Sequence, residues 1–397
     1  MLPALLRRMH EFSRRLIVRI LLIALFSVIA IVAAKLLGGL IPFGLGDRIG
    51  ADAVDHILSI IANSMLTVTT FSLTVMVASH RSVSSLWTPR AHQILLEDTT
   101  THTVLATFVG AYLYAVITII LRETEVFKGE ELVVLFFVTL LIVALIVLAI
   151  IRWISHLELL GSLIETASRT EERARNAYAL RCDYPSLGGK PFNSAAIEDL
   201  TPVIADRTGY VQQIYQDLLQ DAAEKADGEI HLAVQVGGFV HRGEVLGWVR
   251  GDCAEGLTRN VSIGSLRNYV QDPGFSILNL TEIAQRALSP GINDPGTAVD
   301  MTRRIARVLL GHEVAKGPRE ILHDRLYVPD LNRVDLMRES LGAIARAGTG
   351  HPEVVVALNG SLDVLSKHPD RQIVEGARIL RDALGRAETR DPLDLSG

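Results

Sequence analysis

Charged residues are sparse along the first 155 positions, and the gaps between them are long. Ile20–Ala34 is uncharged, and beyond Lys35 the apolar run continues to Ile41. His56–His80, Thr99–Leu121 and Leu132–Ile151 contain no Asp, Glu, Lys or Arg. Each gap reaches the roughly 20 residues that a helix needs to cross a bilayer. The pattern therefore predicts four transmembrane helices. Lys35, near the end of the first, is placed to snorkel to the interface. That first run is too long for the apolar region of a signal peptide, so it reads as a retained anchor.

Span two has a second pattern inside the apolar one. Ser59, Asn63, Thr67, Thr70 and Thr74 recur at steps of three and four, and His56 extends the row. These steps place all six on one helix face. Ile57, Leu58, Ile61, Met65, Leu66, Leu73 and Val77 fall on the opposite side. Two readings of the row are open. It packs helices together through small polar contacts, or it lines a water-filled path. After span two, Thr88-Pro89 looks like the start of a short surface helix running to Asp98.

Beyond residue 155 the period changes. Leu157–Arg181 reads as an amphipathic continuation of span four. Leu160, Leu163, Ile164 and Ala167 are its apolar side, and Glu171, Glu172, Arg173 and Arg175 its solvated side. The segment Asp183–Asn193, rich in Pro and Gly, reads as a linker. β-Type patterning follows: Val203–Ile214, then, after a helix at about Tyr215–Lys225, the alternation of Ile230, Leu232, Val234 and Val236 with His231, Ala233 and Gln235. Turns at Gly237-Gly238 and Arg242-Gly243 lead to a strand at Val245–Val249. The order resembles the small barrel-sandwich modules related to biotinyl and lipoyl domains, without a lysine at the turn that would carry such a cofactor. The remainder looks helical. Asn279 with Glu282 suggests a capping box, Ser289-Pro290-Gly291 a stop, and Asp294-Pro295 a restart. Ala298, Met301, Ile305 and Leu309 give the restarted helix a buried side, and three more helices are expected at about Asp330–Ala347, Pro352–Ser366 and Pro369–Glu388.

The fold class expected is thus membrane α-helical with four spans, plus a cytoplasmic α+β part. The expected domains are 1–155 in the membrane, 156–200 as helical extension and linker, 201–275 as a small barrel-sandwich-like β-module and 276–397 as a helical domain.

Composition sharpens this. Of 397 residues 49% are hydrophobic and 21% charged, and the mean hydropathy of +0.30 is high for a soluble chain. Net charge is -5, divided as +2 before residue 156 and -7 after it. An acidic body of this kind excludes a nucleic-acid-coating role. Arg7, Arg8, Arg14, Arg15 and Arg19 precede span one, and Arg152, Arg169, Arg173 and Arg175 follow span four. The positive-inside rule then places both termini in the cytoplasm of a bacterial inner membrane. Two cysteines, Cys182 and Cys253, exclude a disulfide scaffold.

The run Arg286–Asp300, RALSPGINDPGTAVD, carries a resemblance. Together with the four spans, Thr-Pro-Arg at 88–90 and Gly-Tyr-Val at 209–211, it is similar to a family of bacterial predicted membrane proteins of unknown function. The resemblance covers most of the chain and implies the architecture above without a mechanism. Where members carry a bulky residue, Gly296 stands here.

Ser289, Pro290, Gly291, Asn293, Asp294 and Pro295 form the signature turn. It reads either as a self-capped helix–turn–helix or as a small ion or ligand site, for which one Asp is a thin donor set. Twelve histidines are scattered without a zinc motif, and Gly-x-Ser-x-Gly is absent. The sequence therefore suggests no catalytic residue, no metal and no cofactor. His231 and His241 are expected at the surface. The expected function is an oligomeric ion channel or permeation protein, with span two lining the path and the cytoplasmic part assembling or gating it. The alternative is a membrane-anchored sensor or scaffold for a cytoplasmic protein. Membrane lipid, further copies of the chain and a small ion are the expected partners; nucleic acid is not.

Overall fold

The computed structural model describes residues 51–86, 99–124, 131–157, 162–311 and 320–388, with helical positions at 18, 25, 28, 29 and 32. Span one otherwise lies outside the described residues, as do the helix expected after Thr88-Pro89 and the tail 389–397. The chain divides into two compact units, Met1–Glu165 and Thr166–Gly397.

In the first unit, α1 (Ala51–Leu86), α2 (Thr99–Glu123) and α3 (Glu131–Leu157) contain the three described segments long and apolar enough to cross a membrane. These segments, Val54–Ser79, Thr100–Glu123 and Glu131–Leu157, are 26, 24 and 27 residues long. At 1.5 Å per residue each exceeds the hydrocarbon thickness of about 30 Å. Leu58, Met65, Phe108, Tyr114 and Leu135 are buried where the three helices meet. Polar contacts tie the bundle at three levels. Arg122 donates to Asp55 at 2.6 Å, Tyr114 Oη lies 2.9 Å from Thr139 Oγ1, and Thr101 Oγ1 lies 3.1 Å from His156 Nε2.

Most of α4 (Leu163–Asp183) belongs to the second unit. Ser162 interrupts the expected continuation of span four: it is not helical, and its Oγ accepts from Glu165 N at 3.5 Å. A serine followed three positions on by glutamate is an N-terminal signal, so a new helix starts here. Its buried face also differs from expectation. Ile164 is 70% exposed, whereas Glu171, expected in solvent, is 4% exposed. Three arginines explain the inversion. Arg304 donates to Glu171 at 2.8 Å, Arg307 lies at 2.6 Å and Arg175 at 3.1 Å.

The segment read as a linker contributes a strand. After a tight turn at Pro185–Gly188, β1 (Gly189–Pro191) pairs parallel with β8 (His323–Val328), a strand the sequence pattern did not reveal. The other strands are β2 (Thr201–Ile204), β3 (Gly209–Ile214), β4 (Glu229–Leu232), β5 (Phe239–Val240), β6 (Val245–Arg250) and β7 (Val261–Gly264). One sheet has the order β1-β8-β4-β6-β2 and is mixed; the other, β5-β3-β7, is antiparallel. This is a sheet-containing α+β unit whose strands extend beyond 201–275 on both sides, rather than a local barrel-sandwich module. Helices α5 (Gln216–Lys225) and α6 (Ala254–Asn260) add Leu219, Ala223 and Leu257 to its core, beside Ile230, Leu232, Val249 and Leu326.

The turn after β4 requires glycine. Gly237 has φ +86°, and a side chain there would run into the Asp272 carboxylate. Asp272 is itself held by Arg267 through two hydrogen bonds of 2.7 Å.

His231, expected at the surface, is buried. It is 2% exposed, because it stacks on Tyr327 at 3.9 Å from the neighbouring strand. On the other flank it is registered with Trp248, against which Phe192 stacks at 5.9 Å. β1 and β2 lie at opposite edges of the sheet. Phe192, just after β1, therefore shows that the connection crosses on the face carrying His231. His241 is exposed as expected.

The helical part comprises α7 (Pro273–Ala287), α8 (Pro295–Leu310), α9 (Arg333–Glu339), α10 (Leu341–Ala347), α11 (Pro352–Leu365) and α12 (Arg371–Glu388). Asn279 is not a cap. The N-cap of α7 is Asp272, which accepts from Phe275 N at 3.0 Å, with Pro273 in the first turn. Asn279 lies buried within the helix and donates to Tyr269 Oη at 2.8 Å. The stretch expected as one helix over 330–347 is two, because Ser340 breaks the path at φ -98°, ψ -85°. Arg333 then anchors α9, its guanidinium 3.7 Å from Cys182 Sγ and 3.2 Å from Asp370.

Two outcomes follow. Glu171→Ala leaves the buried Arg304 with Asp300 as its one remaining acidic partner, beside the Ser168 hydroxyl. It should destabilise the full chain by about 3 kcal/mol in chemical denaturation, the scale for breaking a buried pair. His231 makes no ring hydrogen bond among the described residues, with Glu229 3.6 Å away. Burial pushes its pKa below 6.5 against the pull of Glu229. The unfolded chain then binds the proton more readily, so stability falls as pH drops below about 6.5. His231→Phe should flatten that part of the pH dependence of the melting temperature; an unchanged slope assigns it to other groups.

Candidate functional site

The site centres on α1. Successive residues of an α-helix turn by about 100°. On that wheel Val54, Leu58, Ile61, Met65 and Ser72 form one row, and all are buried. His56, Ser59, Asn63, Thr67, Thr70 and Thr74 form a second row, and all are exposed. The two rows lie on opposite sides of the helix. The structure thus brings the six predicted residues together on one face, and no described helix covers it. Leu66, Leu73 and Val77, expected behind the row, instead flank it on one side, exposed; Ile60 and Phe71 flank it on the other.

The polar atoms of the row divide into two kinds. Thr67, Thr70 and Thr74 donate to the carbonyls of Asn63, Leu66 and Thr70, four residues back, at 3.1, 2.9 and 2.9 Å. Such back-bonding satisfies a hydroxyl without water. His56, Ser59 and Asn63 differ: their side chains make no hydrogen bond among the described residues, and of the three Asn63 lies deepest in the apolar segment with an amide that has both donors and acceptor exposed. Among the described residues, Asp55 with Arg122, Thr101 with His156 and Tyr114 with Thr139 make polar contacts between helices, and the row makes none.

The signature turn lies in the second unit, between α7 and α8. Ser289 Oγ donates to Arg286 O at 2.6 Å, and Asn293 adopts φ +51° while its N–H reaches Ser289 O at 2.9 Å. Asp294 N–H closes the turn on Ala287 O at 2.8 Å. The Asp294 carboxylate then caps α8, accepting from Thr297 N at 3.1 Å and Thr297 Oγ1 at 2.5 Å. Those bonds hold its carboxyl below the usual range. Pro290, Gly291, Asn293 and Asp294 are exposed, and Pro295 opens the helix at its first turn. A side chain at Gly291 would meet nothing within 4 Å, so no steric demand explains that glycine. Among the described residues no group of three or more His, Cys, Asp or Glu is placed to hold a metal. Both cysteines are free and buried.

Sequence reading overlooked the buried groups around Glu171 and Arg333. Nothing local marks a charge as buried; the start at Asp272-Pro273 was also missed, although it carries the same cap-then-proline signal as Asp294-Pro295 that could have found it.

The Asp294 cap gives an expected outcome. Asp294→Ala should cost about 1 kcal/mol in thermal unfolding. Because the folded carboxyl titrates lower than the unfolded one, its contribution is present above the unfolded pKa and lost as pH falls through the folded one. A variant as stable as the parent at neutral pH would remove the cap from the stability of this turn.

A family model described as "Predicted membrane protein (DUF2254)" matches residues 13–363. An uncharacterised protein of Mycobacterium bovis is 28% identical over 199 residues, covering 46% of this chain and 38% of that protein. An uncharacterised protein of Mycobacterium tuberculosis matches to the same extent, 28% over 199 residues, with 46% and 38% covered. The chain thus spans under two fifths of the length of these curated relatives. No solved structure matches.

Proposed function

This chain belongs to the DUF2254 family of predicted membrane proteins, and from that premise we propose that it is an oligomeric permeation protein for small ions. The path is lined by His56, Ser59, Asn63, Thr67, Thr70 and Thr74 of α1. The second unit serves assembly or gating. No catalytic residue or cofactor is assigned. The membrane is the bacterial inner membrane, with both termini in the cytoplasm, as the arginines flanking the spans suggest.

The observation that carries the reading is Asn63. It sits nine residues into the segment Val54–Ser79, about 13 Å along the helix. Its amide has no partner among the described residues and faces away from α2 and α3. An unpartnered amide in hydrocarbon costs several kcal/mol. Water in a path, or water between copies, removes that cost. Three threonines at the same face supply a lining that hydrates without holding an ion tightly, as conduction requires.

The test is ion flux through liposomes containing the purified full chain. Asn63→Leu and Thr67→Leu should each reduce flux several-fold, Asn63→Leu the more, while melting temperature is retained. Unchanged flux in the folded variants would remove the row from the mechanism and favour the second reading, a membrane-anchored scaffold indifferent to the polarity of α1.

A further inference from the structure

We propose that the groove between α8 and α11 is a docking surface for a second copy of this chain, α11 packing against α11 about a two-fold axis. The groove encloses about 620 Å³. Val356, Gly360 and Val364 of α11 line it, four residues apart, and so form one row along the helix. Val356 is 70% exposed and Val364 51%. Singly exposed apolar side chains are ordinary on a surface, but these two stand in one row and so form a patch. Gly360, between them, has nothing within 4 Å of the position a side chain would occupy. A glycine flanked by two valines lets another helix approach closely at that point.

Charge identifies the occupant. The facing wall, from α8, carries Arg303 and Arg307. Arg307 is engaged by Glu171, but Arg303 is exposed and makes no ion pair among the described residues. On α11, one turn before Val356, Glu353 is likewise exposed and without an ion pair among the described residues. The groove thus holds an apolar row and an idle cation on its α8 wall, and an idle anion stands on α11 just beyond its end, in line with the row. Such a patch is self-complementary. In a two-fold interface each copy presents the same surface, so the acid of one can meet the arginine wall of the other. An acidic helix of another protein would satisfy the arginine but leave Glu353 idle, and an anionic lipid would be repelled by it. The inference concerns the second unit and does not depend on what lines α1.

The experiment uses the full chain in detergent. Both native cysteines are buried, so Gly360→Cys provides one reactive thiol. With a short bis-maleimide it should convert most of the chain to a covalent dimer, while Glu255→Cys, on an exposed site elsewhere, stays monomeric. Gly360→Leu raises helix propensity and so keeps the fold, yet it fills the approach point. Introduced beside Val356→Cys, it should reduce cross-linking through that cysteine at least tenfold. Glu353→Arg should reduce the Gly360→Cys cross-link similarly, and adding Arg303→Glu should restore it. Absence of a Gly360→Cys dimer, in a chain that still cross-links through Asn63→Cys, overturns the groove and leaves assembly through the membrane unit intact. Failure of the charge exchange to restore the dimer overturns the pairing. A groove dimer that forms while Asn63→Leu leaves flux unchanged sinks the permeation reading alone.

Discussion

A polar side chain on a membrane helix must find a partner, and the helix backbone can supply one only to a short hydroxyl. That constraint organises the first unit. Asp55 with Arg122, Tyr114 with Thr139 and Thr101 with His156 place their polar atoms between helices, where each meets another side chain. The threonines of α1 turn back on their own carbonyls. Asn63 does neither. Its amide is too polar to leave in hydrocarbon and stands on the side of α1 opposite the packed row. Whatever meets that face therefore supplies hydrogen bonds, and water is the partner that the permeation reading assigns.

In the second unit the corresponding constraint is burial of charge. Glu171 is enclosed by Arg175, Arg304 and Arg307, joining α4 to α8. Arg333 reaches Cys182 and Asp370, joining α9 to α4 and to the start of α12. Desolvating such groups is costly unless every partner is in place. These contacts therefore tie the order of the helices to a small set of compatible pairings. The same unit draws β8 from among the helices into the five-stranded sheet, between β1 and β4. Sheet and helices consequently share a chain path, and Gln235 Nε2 donating to Asp330 O at 3.1 Å links one to the other.

Local chemistry explains most of the helix boundaries. Asp272-Pro273 and Asp294-Pro295 start α7 and α8, and Ser289-Pro290 stops α7. At both starts a carboxylate oxygen accepts from a backbone N–H and proline supplies a preset φ; at the stop the Ser289 hydroxyl donates to Arg286 O. Where the expectation misplaced a cap, at Asn279, it used the same rule on a residue that tertiary packing had taken instead, to bond Tyr269.

What the amino-acid order alone determined is what depends on neighbours in sequence: the apolar segments of α1, α2 and α3, the common face of His56, Ser59, Asn63, Thr67, Thr70 and Thr74, and the capped start of α8. Helical periodicity and capping act over three or four residues, so they are readable in a string. Only the tertiary structure decided that Glu171 and His231 are buried, that 183–193 leads into an edge strand and that His323–Val328 belongs to the sheet. Those outcomes rest on arginines more than 130 residues away from Glu171 and on a parallel partner more than 130 residues from β1. No local period encodes such distances, because the energy that selects them appears only when the distant segments meet.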